Sequence, residues 1–281
     1  MKINYKIFKE INIKEYLNNL GMSKSVIYKL FLNKDISVND NLVNDNYILK
    51  DSDILSINYH EESNYKIEEG TLDILYEDDY FLIINKSPNI ICHDEKSSIA
   101  NIVSGYYAKN GIDLSVKYPH RLDKDTTGVL IFTKDLLTLD YMNKLFISHD
   151  LVRRYLLICE GTFGKKSGVI DLKIGKDRHI NGKYRVSKTG VKAVTNYKVL
   201  KEFDGKSLVL VELKTGRTHQ IRVHFSHIGH PLIGDIFYGS KFNRQRFLLH
   251  SYYLEFFHPF LNKKLEIKCD MPKDFIMEGA K

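Results

Sequence analysis

The stretch at residues 119–134, PHRLDKDTTGVLIFTK, sets a charged cluster beside a Thr-Thr-Gly turn and runs straight into an apolar segment. Asp123 stands on that loop, where an abutting buried strand can hold a reactive group rigidly against the core. A carboxylate so placed can act as a nucleophile on a sugar or as a base toward one of its protons. Aspartate is also a common turn residue, so these residues alone leave a purely structural role open. A glycosidase-like carboxylate pair would draw in Asp125 or Asp235 as the partner, but it gives no use for the basic segment described below. His219, His224, His227 and His230 fall within twelve residues and invite a metal ion. His219 and His224 differ by five, so on a strand they face opposite sides, and no HExxH or Cys–His pattern accompanies them; no metal is expected. Lys214-Thr215-Gly216 lacks the SDN partner of serine-reactive hydrolases. GTFGKKSG lacks the first glycine of a phosphate-binding loop, because Cys159 stands in its place.

These residues need elements to position them. Apolar runs at residues 81–84, 129–132, 155–159, 208–213 and 221–225 read as strands, and residues 136–146 carry helical spacing. Residues 71–281 therefore form an α+β domain. Residues 1–60 read as a smaller unit with an amphipathic start at residues 13–20. In it Ser23 is placed to cap a helix over residues 23–32, with Val26, Ile27, Leu30 and Phe31 on one apolar face. Lys24, Lys29 and Lys34 are left to face elsewhere, and short strand-like pieces, DISVND and DILSINY, follow. Between the two units, residues 61–70 carry four glutamates, little apolar content and a closing glycine, the composition of an exposed linker.

Composition narrows the class further. The 281 residues are 43% hydrophobic and 27% charged, ordinary for a soluble globular protein, and are long enough for two folded units. No apolar run approaches a membrane span, and the start, MKINYKIFKEINIKEY, lacks the features of a signal peptide, so the cytoplasm is the expected address. Cys92, Cys159 and Cys269 form no CxxC pair and read as reduced core thiols. The formal charge is +7, which favours polyanionic partners. All nine arginines lie between Arg121 and Arg246. Eight basic residues between Asp171 and Lys198, including Arg178, Lys183 and Arg185, face only two acidic ones. That segment is a candidate phosphate-contacting surface, or else a solvated hairpin.

HRLDKDTTG resembles the signature of the RluA/RluD-type pseudouridine synthases, which act on large-subunit ribosomal RNA. RRYLLICEG, LKTGRTHQIRVH, GHPLIGDIFYG and LLHSYYLEFFHP resemble further segments of that family, in the same order. Thr127 departs from the serine common there; either hydroxyl serves a turn hydrogen bond. The first sixty residues resemble an S-four-like RNA-binding domain. The resemblance implies the pseudouridine synthase fold, a large mixed, mostly antiparallel sheet flanked by helices. It also implies isomerisation of selected uridines, in which uracil leaves through N1 and rejoins the same ribose through C5. That reaction requires no redox step, energy source, cofactor or metal. By resemblance Asp123 is the catalytic carboxylate, Arg217 pairs with it, and Tyr155 stacks near the uracil. Leu249 packs against the base, and Arg121 enters the space that the flipped base vacates; an ion pair between Arg121 and Asp125 is the plainer alternative. His120, Thr126 and Ile221 are placed among the substrate-binding residues, with His120 and His250 read as hydrogen-bonding scaffold rather than general bases. Lys24, Lys29, Lys34, Arg178, Lys183 and Arg185 are the expected RNA contacts. The expected partner is RNA, ribosomal before transfer RNA, met by a monomer. A non-catalytic RNA-binding assembly factor is the alternative, but such a protein has no need of Asp123, Tyr155 and Arg217 together.

Overall fold

The computed structural model describes residues 1–61, 63–93 and 97–277. The N-terminal unit carries strands β1 (Lys2–Lys6), β2 (Ile11–Asn12), β3 (Ile36–Val38), β4 (Asn41–Leu42), β5 (Ile48–Leu49) and β6 (Ile54–Asn58). Its sheet runs β1-β6-β3-β4, with β2 and β5 paired separately. Two helices, α1 (Ile13–Asn19) and α2 (Lys24–Leu32), precede β3, and the Ser23 hydroxyl accepts from the Val26 amide to cap the second. That cap satisfies one of the amides which a helix start leaves orphaned.

The second unit is built on β7 (Ile74–Glu77), β8 (Phe81–Lys86), β9 (Thr127–Thr133), β10 (Val152–Glu160), β11 (Ser167–Asp171), β14 (Val194–Phe203), β15 (Lys206–Leu213), β16 (Leu249–His258) and β17 (Lys263–Lys268). Among the described residues these make one sheet in the order β11-β14-β15-β10-β16-β9-β8-β7, with β17 on β16. Every pairing is antiparallel except β9 with β16, which sets Thr127 opposite His250 and Gly128 opposite Ser251. Helices α3 (Ile99–Lys109), α4 (Leu136–Ser148) and α5 (Gln220–His227) flank it, and β12 (Ile174–Lys176) pairs with β13 (Tyr184–Val186) in a separate hairpin. β8 and β9 are buried almost throughout, as their unbroken apolar runs require of central strands.

One reading from sequence is overturned here: residues 221–225 are helical, not a strand. All six residues 220–225 are buried, so the exposed positions that would mark a 3.6-residue period are missing and the run imitates a central strand. Gln220 fixes where the helix begins. Its side-chain oxygen accepts from Thr215 Oγ1 (2.8 Å) and the Arg217 amide (3.0 Å), while its nitrogen donates to the Val194 carbonyl and Thr195 Oγ1.

The two units share one core. Tyr5 packs on Tyr80 and Phe260 with ring centroids 5.6 and 4.7 Å away. Tyr5 and Tyr59 join their hydroxyls, and Tyr59 donates on to Asp135. Gly21, at φ +100°, lies so close to helix α4 that a Cβ would stand 2.6 Å from the Asp140 carbonyl. The chain after β6 is also fastened at three points: Glu61 meets Lys117 and Ser115, Asn64 exchanges two hydrogen bonds with Val116, and Tyr65 bonds Tyr118. No helix among the described residues is long and apolar enough to cross a membrane.

Candidate active site

Asp123 lies at the head of a tight turn closed by the Thr126 amide donating to the Asp123 carbonyl (3.1 Å). Beyond it the chain enters β9 through Gly128, whose φ of +103° and closeness to the Ser251 carbonyl, 2.1 Å from a would-be Cβ, admit no side chain. Two buried cations hold the turn from beneath. Lys86 Nζ donates to the carbonyls of Ser87 and Lys124, each at 2.8 Å, and Arg246 Nη1 donates to that of Asp125 at 3.1 Å. Arg246 is itself clamped by Asp274 (2.7 and 2.9 Å).

The Asp123 side chain is 29% exposed and looks into a hollow of about 80 Å³ whose walls include Tyr155, Ile221 and Leu249. This opens into a cleft of about 700 Å³ that shares Asp123, Tyr155, Arg217 and His219. The guanidinium that meets Asp123 belongs to Arg222, not to Arg217: Arg222 Nη1 donates to Asp123 Oδ2 at 3.0 Å. Arg217 stands on the exposed loop before α5 and donates from Nε to the Lys192 carbonyl (3.1 Å), whereas Arg222 lies in the first turn of α5, facing the aspartate. The two arginines are five residues apart in one segment, and only the helix start, hidden from the sequence pattern, distinguishes them.

Arg222 is held on every side. Its Nε and Nη2 donate to Asp235 at 2.7 and 2.9 Å, and its guanidinium lies over the rings of Tyr238 (4.8 Å) and Phe247 (4.2 Å). Burial opposes its charge, but Asp235 and Asp123 more than offset this and push its pKa above the ordinary arginine value. Asp235, which the sequence alone offers as a glycosidase partner, instead grips the cation from behind. His219 Nε2 lies 3.9 Å from Asp123 Oδ2, and its Nδ1 bonds the Tyr238 hydroxyl at 2.8 Å. Burial lowers the His219 pKa, Arg222 adds to the effect and Asp123 partly opposes it, so the ring is neutral at pH 7. The Tyr155 hydroxyl is pushed up by burial, and it stays protonated.

The remaining expected residues divide. Thr126 lines the hollow with Ile221 and Leu249. His120 borders the wider cleft, but its Nε2 accepts the Ile131 amide (3.1 Å) and its ring stacks on Phe146. Arg121 is exposed on the cleft wall and makes no ion pair with Asp125; its Nη1 is 3.5 Å from His93. Lys24, Lys29 and Lys34 are exposed, as are Arg178 and Arg185. Lys183 instead folds its ammonium over Phe237 and Tyr238 (5.3 and 5.6 Å). Among the described residues no group of three or more His, Cys, Asp or Glu could hold a metal ion. Both nitrogens of His224 are taken, by Thr195 and the Leu172 carbonyl.

A carboxylate fixed by an arginine at the floor of a partly apolar hollow, open to a cation-lined cleft, suits chemistry on one nucleotide of a polyanion. Residues 80–227, more than half of the chain, match the RNA pseudouridylate synthase family. The chain belongs to that family. It is 38% identical over 266 residues to the Bacillus subtilis RNA pseudouridine synthase YhcT, covering 91% of this chain and 87% of the relative. It is 34% identical over 225 residues to ribosomal large subunit pseudouridine synthase D of Borreliella burgdorferi, covering 74% and 69%. Among solved structures, human RNA pseudouridylate synthase domain containing 4 superposes with a TM-score of 0.63 at 26% identity, over 73% of this chain and 90% of that one. The chain is thus an RNA pseudouridine synthase of the RluA/RluD type, an isomerase of uridine in RNA.

Proposed function

We propose that Asp123 is the catalytic carboxylate of this synthase and that its substrate is a uridine of large-subunit ribosomal RNA. The observation that carries the catalytic reading is the Asp123–Arg222 pair at the floor of the hollow. The guanidinium at hydrogen-bond distance holds the carboxylate in one orientation, facing the hollow, where it can attack C1′ or remove a sugar proton. The N1–C1′ bond breaks, C5–C1′ forms, the C5 proton is lost and N1 gains one, so atoms and charge balance with no cofactor. Tyr155, Ile221 and Leu249 offer the detached uracil an apolar berth, and the protonated Tyr155 hydroxyl is placed to hand on a proton.

The ribosomal substrate is supported by relatives named as large-subunit synthases. A contribution to RNA binding from the N-terminal unit is supported by the outer face of α2, where exposed Lys24 and Lys29 flank an exposed Tyr28; cation and ring together suit backbone and base. Exposed Arg178 and Arg185 are offered as further contacts to the RNA backbone. Arg217 and Arg121, on the cleft wall, are placed for the strand that carries the target. We take the protein to act as a monomer in the cytoplasm, where its three buried free thiols would stay reduced.

The deciding experiment incubates the wild type and Asp123→Asn with unmodified ribosomal and transfer RNA transcripts and maps pseudouridine by carbodiimide labelling and primer extension. Stops in large-subunit RNA that vanish with Asp123→Asn, while RNA affinity holds, support both parts. Normal turnover by Asp123→Asn removes Asp123 as catalyst, and stops confined to transfer RNA overturn the substrate.

A further inference from the structure

Arg153, on β10 two residues before Tyr155, borders the cleft that leads to Asp123. The residue is only 9% exposed. Its Nε is buried without a hydrogen-bond partner. One face rests on the Phe146 ring, 5.1 Å from the centroid. On another side Gly216 approaches so closely that a Cβ there would stand 2.9 Å from Nη1. The group is therefore packed in place, with its charge unanswered.

A guanidinium does not shed its proton at any ordinary pH. Burying an ion without a counter-charge is unfavourable even after relaxation, and burial does push the Arg153 pKa down. The Phe146 ring relieves part of that cost, but it brings no counter-charge and no hydrogen-bond acceptor for Nε. His120 is close by and neutral, its pKa lowered to about 3 by burial and by the charge of Arg153 itself. The cleft carries Arg121, His149, Arg217 and His93 on its walls, and Asp123, already paired, is the one carboxylate among its described lining residues. A neutral base carbonyl would supply hydrogen-bond acceptors but leave the charge uncompensated. An anion with two acceptor oxygens satisfies both the fork and the charge.

We propose that Arg153 is the anchor of a second subsite, which takes one phosphodiester of the RNA strand beside the target uridine. The subsite fixes where the strand lies relative to Asp123, and so which nucleotide enters the hollow. The proposal rests on the reading of the hollow as the uridine site.

The test uses synthetic stem-loops carrying the mapped uridine, with an uncharged methylphosphonate replacing each backbone phosphate in turn for two nucleotides on either side. Affinities are measured with Asp123→Asn and with the double variant Asp123→Asn, Arg153→Met, so that the readout is binding and owes nothing to turnover. With Arg153 present, one position should weaken binding about tenfold when neutralised. With Arg153→Met, that position should cost nothing further, and the slope of log affinity against log salt should be smaller by about one. Equal costs in both proteins at every position, or none in either, overturn the proposal. Arg153→Met should also melt no lower than its parent, because an unpaired buried charge is removed; should it fail to fold, Arg153→Lys, which keeps the charge without the fork, takes its place and should retain only part of the effect. If Asp123→Asn proves active, the catalytic reading falls, while the phosphate scan still reports on Arg153.

Discussion

Asp235 holds Arg222 by both prongs of its guanidinium, Nε to Oδ2 at 2.7 Å and Nη2 to Oδ1 at 2.9 Å, and so leaves Nη1 to meet Asp123. The Asp235 side chain is 1% exposed and that of Arg222 is 8%, so the pair forms a rigid post against which the reactive carboxylate is aligned. Asp235→Asn keeps the shape but removes the charge that fixes the fork. A small misplacement of a reacting group can cost about 10²-fold in rate, and kcat should fall by that order while RNA affinity changes little. Single-turnover kinetics with a fluorescence binding assay check this; an unchanged kcat would mean that the post is not needed.

The same geometry separates two arginines of one segment. Arg222→Lys cannot span Asp235 and Asp123 together, since an ammonium is a point charge without the planar fork. It should lose about 10²-fold or more in kcat. Arg217→Lys gives up a bond to the Lys192 carbonyl on an exposed loop, and its effect should appear mainly in KM. A larger kcat loss from Arg217→Lys than from Arg222→Lys would reverse the assignment.

How far this could be read in advance differs from element to element. β8, β9 and β15 announce themselves as apolar runs between polar turns, and α2 by its Ser23 cap, because these signals are local. The start of α5 was hidden by its complete burial, and with it the choice of Arg222. Asp235 and Tyr238 lie eight and eleven residues beyond that helix, in a segment without periodicity, and nothing short of the folded chain shows that they back the same guanidinium. The parallel meeting of β9 and β16, which brings Thr127 to His250, joins residues more than a hundred apart. Lys86 and Arg153, one beneath the catalytic turn and one beside its cleft, look in the sequence like any other surface cation; their burial is what gives them meaning.

His250 makes acid stability a readout of that parallel junction. Its Nε2 donates to the Cys269 carbonyl (3.3 Å) and its Nδ1 accepts from Thr127 Oγ1 (2.9 Å), an arrangement that only the neutral ring can make. Burial pushes its pKa down to about 4. Between the ordinary histidine value of about 6.5 and that pH, the unfolded chain takes a proton that the folded chain refuses, so stability is lost as pH falls, by about 1.4 kcal/mol per unit. His250→Gln should be less stable at pH 7 yet decline less between pH 6.5 and 5, as urea denaturation would show. Parallel profiles for the two proteins would mean that His250 does not titrate as its burial requires.

Lys86 carries the same sign in a more alkaline window. Its ammonium is fully buried beneath the catalytic turn, and burial lowers its pKa to about 8. Below pH 8 folded and unfolded chains both hold the proton, and the folded chain bears the whole cost of a buried charge. From about 8 to the ordinary lysine value of about 10.4 the folded chain releases it while the unfolded chain keeps it. The unfolded state then binds more protons, and this group's contribution to stability rises with pH, by at most about 3 kcal/mol over the window. Urea denaturation at pH 8 and pH 10 should therefore show the wild type gaining on Lys86→Met, even though the variant leaves the Lys124 carbonyl without its donor at both. That lost donor has its own readout: the turn bearing Asp123 loosens, so Lys86→Met should lower kcat at neutral pH. A stability gap that stays constant with pH would show that the ammonium is better solvated than its burial implies.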